Sequence, residues 1–475
     1  MDRVKKVALA GASGFVGTAL RMALADQYDW IGLTRSETVG EQGKAEAHTE
    51  WRQCDLFSLP QVRQAMEGAE IAVYMVHSML PSSRLVQGNF ADMDLLLADN
   101  FIRAAEEAGV KRVVYIGGLI PENEPHLSPH LASRLEVESV LKGRSLPVTV
   151  LRAGLIFGPG GSSAQMLLNL SRRLPVMILP AWTRNTTQSI DIKDIVRALE
   201  IVLRDDSYTG TYDLGGHEPM SYKDMILRTG KVLGHETASI NIPANLVMLS
   251  RRWVSLFGST SANLVNPLLE SLRHSLVARP NRLLAQIQPG ALSFEKSVRS
   301  AVDDKGYPLP NPRQSTQKLD NRQIHYAKRV RSIQRMPLPG GWSAIKLSKT
   351  YSKWISRASR GIIQEHRDEK GILRLSFISR KCLILELTPT PFAVNCEYRR
   401  AYYVTGGFLA HKSDPPGRFE LRIFPSLGCL VAAIHGYQPR LPWWLYSFTQ
   451  ALVHLAVMRA FGRFLGKQCG DSFPE

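Results

Sequence analysis

Short apolar runs alternate with helix-spaced apolar positions through the first half of the chain. Val4–Ala10 reads as a buried strand and Val16–Leu24 as the helix that follows it. Trp30–Thr34, Ile71–Val76, Arg112–Ile116 and Val148–Leu151 read as further strands, with helices at Asn100–Ala108 and around Ser133–Leu141. Strands alternating with helices over short links predict an α/β fold, a doubly wound parallel sheet covered on both faces. From Met220 to about Asp303 the pattern turns mainly helical, broken by Pro243, Pro267 and Pro280. That predicts a small helical lobe packed against the sheet's carboxyl edge.

The last third reads differently. Residues 303–323 are polar and hold three prolines, the composition of a linker. Beyond them, strand-like runs at Leu373–Ile378, Cys382–Leu387, Tyr398–Val404, Phe419–Phe424 and Cys429–Ile434 lie between helical patterns at Trp342–Ile363 and Trp443–Leu465. This predicts an α+β domain over residues 324–475 with several antiparallel strands and a long final helix. That helix carries Gln450, His454, Arg459 and Arg463, which a bilayer core would exclude. It is expected to pack as an amphipathic helix.

Charge sharpens the division. The chain carries a net charge of +17 over 475 residues. Residues 321–475 hold 24 Lys and Arg against 9 Asp and Glu, whereas the rest holds 35 against 33. The basicity belongs to the final domain, where it serves either as a solvated surface or as a face for an anionic partner or membrane surface. Arg399 to Tyr403 mixes basic and aromatic residues, but alternation along a strand turns half of them inward, so nucleic acid is not the expected partner. The five cysteines form no CxxC pair, which argues against a disulfide framework or zinc site and for a reducing, cytoplasmic setting. No metal-binding motif is present, so no metal is expected.

The first candidate chemistry lies between the first strand and helix: Gly11-Ala12-Ser13-Gly14-Phe15-Val16-Gly17. The first glycine permits the tight turn and the second lets backbone approach a diphosphate. The third allows close helix–strand packing, and the helix start offers N–H groups to the anion. The pattern marks a Rossmann-type dinucleotide site. The second strand ends in Arg35-Ser36 where an NAD site would place a carboxylate. A guanidinium and a hydroxyl suit a 2′-phosphate, so NADP(H) is expected in preference to NAD(H). Asp55-Leu56 follows the third strand and reads equally as an adenine contact or as a turn. His77 and Ser78 end a strand on the cofactor-facing edge and read as nicotinamide or phosphate contacts, or as loop residues satisfied among themselves.

Together these motifs resemble the atypical and extended short-chain dehydrogenase/reductase superfamily. Leu151–Pro159 looks like a further stretch of that family, with Ala153 replacing its usual proline. Ala72–Met79 and Leu174–Met177 resemble a branch related to the NmrA-like regulators and to the 39 kDa subunit of respiratory complex I. The resemblance covers about residues 4–302 and implies an NAD(P)-binding domain over residues 1–302, its helical lobe at about 220–302. Arg331–Pro339 and Gln438–Leu465 are similar to domains appended to some members, which implies a helix-grip arrangement.

The resemblance also implies a catalyst that this chain lacks, a Ser with Tyr-x-x-x-Lys. The strand that should end in Ser reads Val114-Tyr115-Ile116-Gly117-Gly118, and the Tyr-x-x-x-Lys segment reads His130-Leu131-Ala132-Ser133-Arg134. Either His130 and Arg134 form a variant pair, with His130 exchanging a proton near neutral pH, or the segment is a capped helix whose proton chemistry is lost. Tyr115 sits in a buried strand and reads as core. The expectation is an NADP(H)-dependent oxidoreductase with an unusual active site and an unidentified small-molecule substrate. The alternative is a non-catalytic redox sensor or scaffold acting through its final domain, with peripheral membrane association where that domain meets a bilayer.

Overall fold

Val7, Ala8, Leu9 and Ala10 are fully buried, so the first strand packs on both faces and needs apolar residues without alternation. In this computed structural model, residues 4–36, 48–78, 83–173, 176–235, 238–242, 270–311, 314–378, 381–391 and 397–470 are described. The first strand, β1 (Lys6–Ala10), lies in a seven-stranded sheet with β2 (Asp29–Thr34), β3 (Thr49–Gln53), β4 (Ile71–Tyr74), β5 (Arg112–Gly118), β6 (Val148–Ala153) and β7 (Gly210–Leu214). All neighbours are parallel, in the order β7-β6-β5-β4-β1-β2-β3. The chain winds from β1 outward through β2 and β3, then restarts at β4 on the other side. That reversal opens a crevice at the carboxyl ends of β1 and β4, where ligands bind in such sheets.

The helices follow local signals. Helix α1 (Phe15–Ala23) begins directly after Gly14. Helix Pro129–Lys142 starts with proline in its first turn, behind Ser128, whose Oγ accepts from the Leu131 N–H. A core of Val7, Leu9, Leu20, Val73, Val114, Leu151, Leu199 and Leu284 joins helices to sheet. A second core, around Phe157, Leu168, Trp182, Tyr222 and Phe294, builds the small lobe. Within the expected lobe, residues 243–269 lie outside the described residues, including Pro243 and Pro267. Its described part holds helices Tyr222–Val232, Arg282–Ile287 and Phe294–Ser300, together with strand Ala238–Asn241.

The chain forms two compact units, Met1–Leu80 with Leu97–Asp320, and Pro81–Leu96 with Asn321–Glu475. Two features differ from the sequence expectation. The expected linker, 303–323, is helical from Gln314 onward, within helix Gln314–Tyr326. The segment 81–96 belongs to the second unit, although it lies deep inside the first in sequence.

In the second unit seven antiparallel strands form one sheet, and Leu85–Gln87 adds an eighth, parallel to Val330–Pro337. Strand Val330–Pro337, helix Ala344–Ala358, six further strands and the long helix Gln450–Gln468 follow in order. This is the strand–helix–six strands–helix sequence of a helix grip. Leu347, Tyr351, Phe419, Leu421, Met458, Phe461 and Leu465 fill the space between helices and sheet. Arg335 Nε donates to Asp92 Oδ1 at 2.7 Å, tying the excursion to the sheet. Among the described residues no helix is long and apolar enough to cross a membrane. Cys54, Cys382, Cys429 and Cys469 are free thiols, and Cys396 lies outside the described residues.

Glu420 is buried in this sheet with Arg399 and Arg422. Arg399 donates through Nε and Nη2 to both carboxylate oxygens at 2.9 and 3.0 Å, and Arg422 Nε donates at 2.8 Å. Burial pushes the Glu420 carboxyl up, but the arginines outweigh it and hold the group well below the usual carboxylate range. Glu420→Gln leaves the buried guanidinium groups without their counter-charge. It is expected to destabilise the second unit by about 3–5 kcal/mol, read as an earlier unfolding transition in urea. A transition that does not move would contradict the assignment.

Candidate functional site

The glycine loop is shaped by backbone packed against backbone. Gly11 has φ +93° and a Cβ there would sit 2.9 Å from the Met75 carbonyl oxygen, just past β4. Gly14 N–H donates to Gly11 O at 2.8 Å, closing the turn before α1. A Cβ on Gly17 would collide with the Gly11 carbonyl oxygen. Ser13, Gly14, Phe15 and Val16 are partly exposed at this corner. Side-chain-free residues thus keep the helix start tight against the strand and its N–H groups near the crevice. Beneath the loop, Arg21 is 6% exposed and its Nε donates to Ala12 O at 3.1 Å. Sequence reasoning passed over Arg21, which sits in α1 like any helical arginine.

At the tip of β2, Arg35 is exposed and Ser36 is buried. Ser36 N–H donates to Thr34 Oγ1 at 3.1 Å, and Ser36 Oγ donates to Asp320 Oδ1 at 2.6 Å. The Asp320 contact comes from 284 residues downstream and had no local signal. Asp55 forms a turn: its Oδ1 accepts from Phe57 N–H at 3.1 Å, and its own N–H donates to Gln61 Oε1 at 2.9 Å. Leu56 O accepts from Asn100 Nδ2 at 2.8 Å. His77, exposed, and Ser78, partly buried, follow β4 next to the glycine loop.

His130 opens the helix after β5. Its Nδ1 lies 3.0 Å from Ser271 Oγ, which is 3.0 Å from Ser128 Oγ. Ser128 N–H donates to His274 Nε2 at 3.2 Å, and His274 Nδ1 lies 3.9 Å from Glu124 Oε2. Accepting at Nε2 places the His274 proton on Nδ1, facing the carboxylate. Ser271 and His274 escaped the sequence reading because they lie some 140 residues from the helix they meet. Arg134 is 8% exposed, one turn further along. Tyr115 is 1% exposed, packed on Tyr74, with its hydroxyl donating to Arg134 O at 3.4 Å, and is core as expected.

The environment of His130 corrects the expected near-neutral proton exchange. Burial, then the Arg134 and His77 charges, push its imidazole down to about 3. The ring is therefore neutral at pH 7, able to donate or accept a hydrogen bond but not to deliver a proton as imidazolium. Among the described residues no group of His, Cys, Asp and Glu side chains is arranged to hold a metal.

Residues 11–166 match a family model described as NAD(P)H-binding. A curated relative, auxiliary protein GraX of Staphylococcus aureus, is 34% identical over 119 residues, 25% of this chain and 38% of that protein. The match therefore spans well under half of that relative's length. Among solved structures, the triphenylmethane reductase of Citrobacter sp. complexed with NADP(H) aligns with a TM-score of 0.50 at 16% identity. That alignment covers 62% of this chain and all of the reductase. An NADPH-dependent quinone oxidoreductase of Escherichia coli complexed with NADPH aligns at 20% identity and TM-score 0.49, over 62% of this chain and 98% of its own. At 16% identity the likeness to the reductase is one of fold alone. Both alignments leave more than a third of this chain unmatched.

The imidazole of His130 is expected to show no titration between pH 5 and 8 in a nitrogen-15 NMR series. A midpoint near 6.5 that disappears in His130→Gln would overturn its assigned state. The unfolded chain takes up this proton below its ordinary value of 6.5, whereas the folded chain waits until about 3. The stability this group contributes is thus complete above pH 6.5 and declines as pH falls toward 3.

Proposed function

We propose that the first unit binds NADP(H) and reduces or oxidises a small carbonyl or quinone substrate at the carboxyl edge of its sheet. The observation that carries this reading is the corner at Gly11, Gly14 and Gly17, where a Cβ at the first or last position would strike backbone. The residues present fit a dinucleotide. The helix-start N–H groups of Phe15 and Val16 would hold the diphosphate, and Arg35 with Ser36 would take the 2′-phosphate. Asp55 and Leu56 would contact adenine, and Arg134 would serve as a fixed cation for ribose or diphosphate. When bound, the dinucleotide supplies the hydride chemistry.

The chain's own contribution is orientation and polarisation. Ser271 and Ser128 hold the His130 ring, and a neutral imidazole polarises a substrate oxygen as a hydrogen-bond donor. The proton that completes a reduction then comes from solvent or substrate, since no Tyr-x-x-x-Lys pair is present. Titration of the full chain with NADPH and NADH tests the cofactor reading. Arg35→Asp is expected to weaken NADPH by roughly tenfold or more while changing NADH little. Equal wild-type affinities for the two, or no binding of either, would defeat it.

For the second unit we infer docking on an anionic lipid surface. Trp444 and Phe448 on helix Trp443–Phe448, and Leu452 and Val453 in the first turn of helix Gln450–Gln468, are each more than half exposed. A cleft of about 670 Å³ in the same unit is lined by Lys381, His411, Lys412 and Arg440, beside exposed Phe408. Apolar side chains with basic neighbours suit a bilayer interface. The full chain should sediment with phosphatidylserine-containing vesicles and not with phosphatidylcholine alone, and Trp444→Ser with Phe448→Ser should abolish this. Absence of binding to the anionic vesicles would refute it.

A further inference from the structure

The end of β2 is where a dinucleotide's adenosine ribose is read: a carboxylate there accepts the 2′-hydroxyl of NAD, and a basic side chain accommodates the 2′-phosphate of NADP. In this chain Arg35 and Ser36 follow the strand directly. The fold brings a distant acid onto them. Asp320, in helix Gln314–Tyr326, accepts a hydrogen bond of 2.6 Å from the Ser36 hydroxyl.

The Ser36 hydroxyl is not free to turn elsewhere at no cost. Its backbone N–H is bound to Thr34 Oγ1 at 3.1 Å, and Thr34 O accepts from Cys54 N–H at 2.8 Å, so the turn is fixed to the ends of both β2 and β3. Ser36 is 5% exposed and Asp320 is partly buried. A hydroxyl has one proton to donate, and here the carboxylate has it. A 2′-phosphate seeking the same donor must displace Asp320 and also meets its negative charge at close range. A 2′-hydroxyl carries no such charge and can donate to the carboxylate.

We infer that Asp320 is a specificity-determining residue for the nucleotide. It occupies the 2′-phosphate position beside Ser36, so NADP(H) binds only by breaking the Ser36–Asp320 hydrogen bond, whereas NAD(H) binds with that bond in place. The inference rests on the dinucleotide reading of the first unit. It adds that the preference set by Arg35 is held in check by an acid from a distant helix. That helix begins in the first unit and ends in the second, with Asp320 the last residue of the first.

The test is titration of full-length wild type, Asp320→Asn and Asp320→Ala with NADPH and with NADH, each variant first matched to wild type by circular dichroism and melting temperature. Asp320→Asn keeps the size of the side chain and removes its charge. NADPH is expected to tighten by roughly tenfold in both variants while NADH does not tighten. Tightening of both nucleotides in equal proportion, or of neither, overturns the role of Asp320. A wild type that binds neither nucleotide overturns the dinucleotide reading itself, so the two failures are distinct. If one variant fails to fold, the other decides.

Discussion

The approach of backbone to backbone at the end of the first strand governs the architecture of the proposed site. Gly11 turns with a positive φ against the carbonyl after β4, and Gly17 lets α1 rest on the same turn. Side chains there would lift the helix, and its N–H groups would lose their aim at the crevice. Buried Arg21 grips the loop from below through Ala12. The strand order reverses between β1 and β4, the topology beside which ligands bind in such sheets.

The segment that carries proton transfer in the families this sequence resembles reads His130 to Arg134 in this chain. Serines hold His130, and burial, then the Arg134 guanidinium and His77, keep it uncharged. In the proposed oxidoreductase such a ring would orient and polarise the substrate, and the proton would come from solvent.

The sequence was most legible where function and fold share a short stretch of chain. Gly11 to Gly17 could be placed between a strand and a helix because the turn, the helix start and the glycine spacing fall within seven residues. The strands of the final domain were readable for a similar reason, since alternation and apolar runs are local. Contacts closed by the fold were not. Asp320 on Ser36, and Ser271 and His274 around Ser128 and His130, join residues separated by more than a hundred positions. No periodicity announces such a meeting. The sequence left the ionisation of His130 open for the same cause, since its chemistry is fixed by burial and by neighbours rather than by residue type. The polar stretch before the last domain looked like a linker because prolines and charges dominate it, yet Gln314–Tyr326 has no proline and is helical.

Leu85–Gln87 supplies the edge of a sheet whose other strands arrive more than two hundred residues later. The ribosome therefore releases this strand long before its partner, Val330–Pro337, has been made. Until then its backbone donors and acceptors are satisfied by water or by a chaperone. A fragment cut at residue 321 would present Val330–Pro337 as a bare edge, open to pairing with other chains. The late domain is thus not a detachable module: its completion depends on chain made near the beginning.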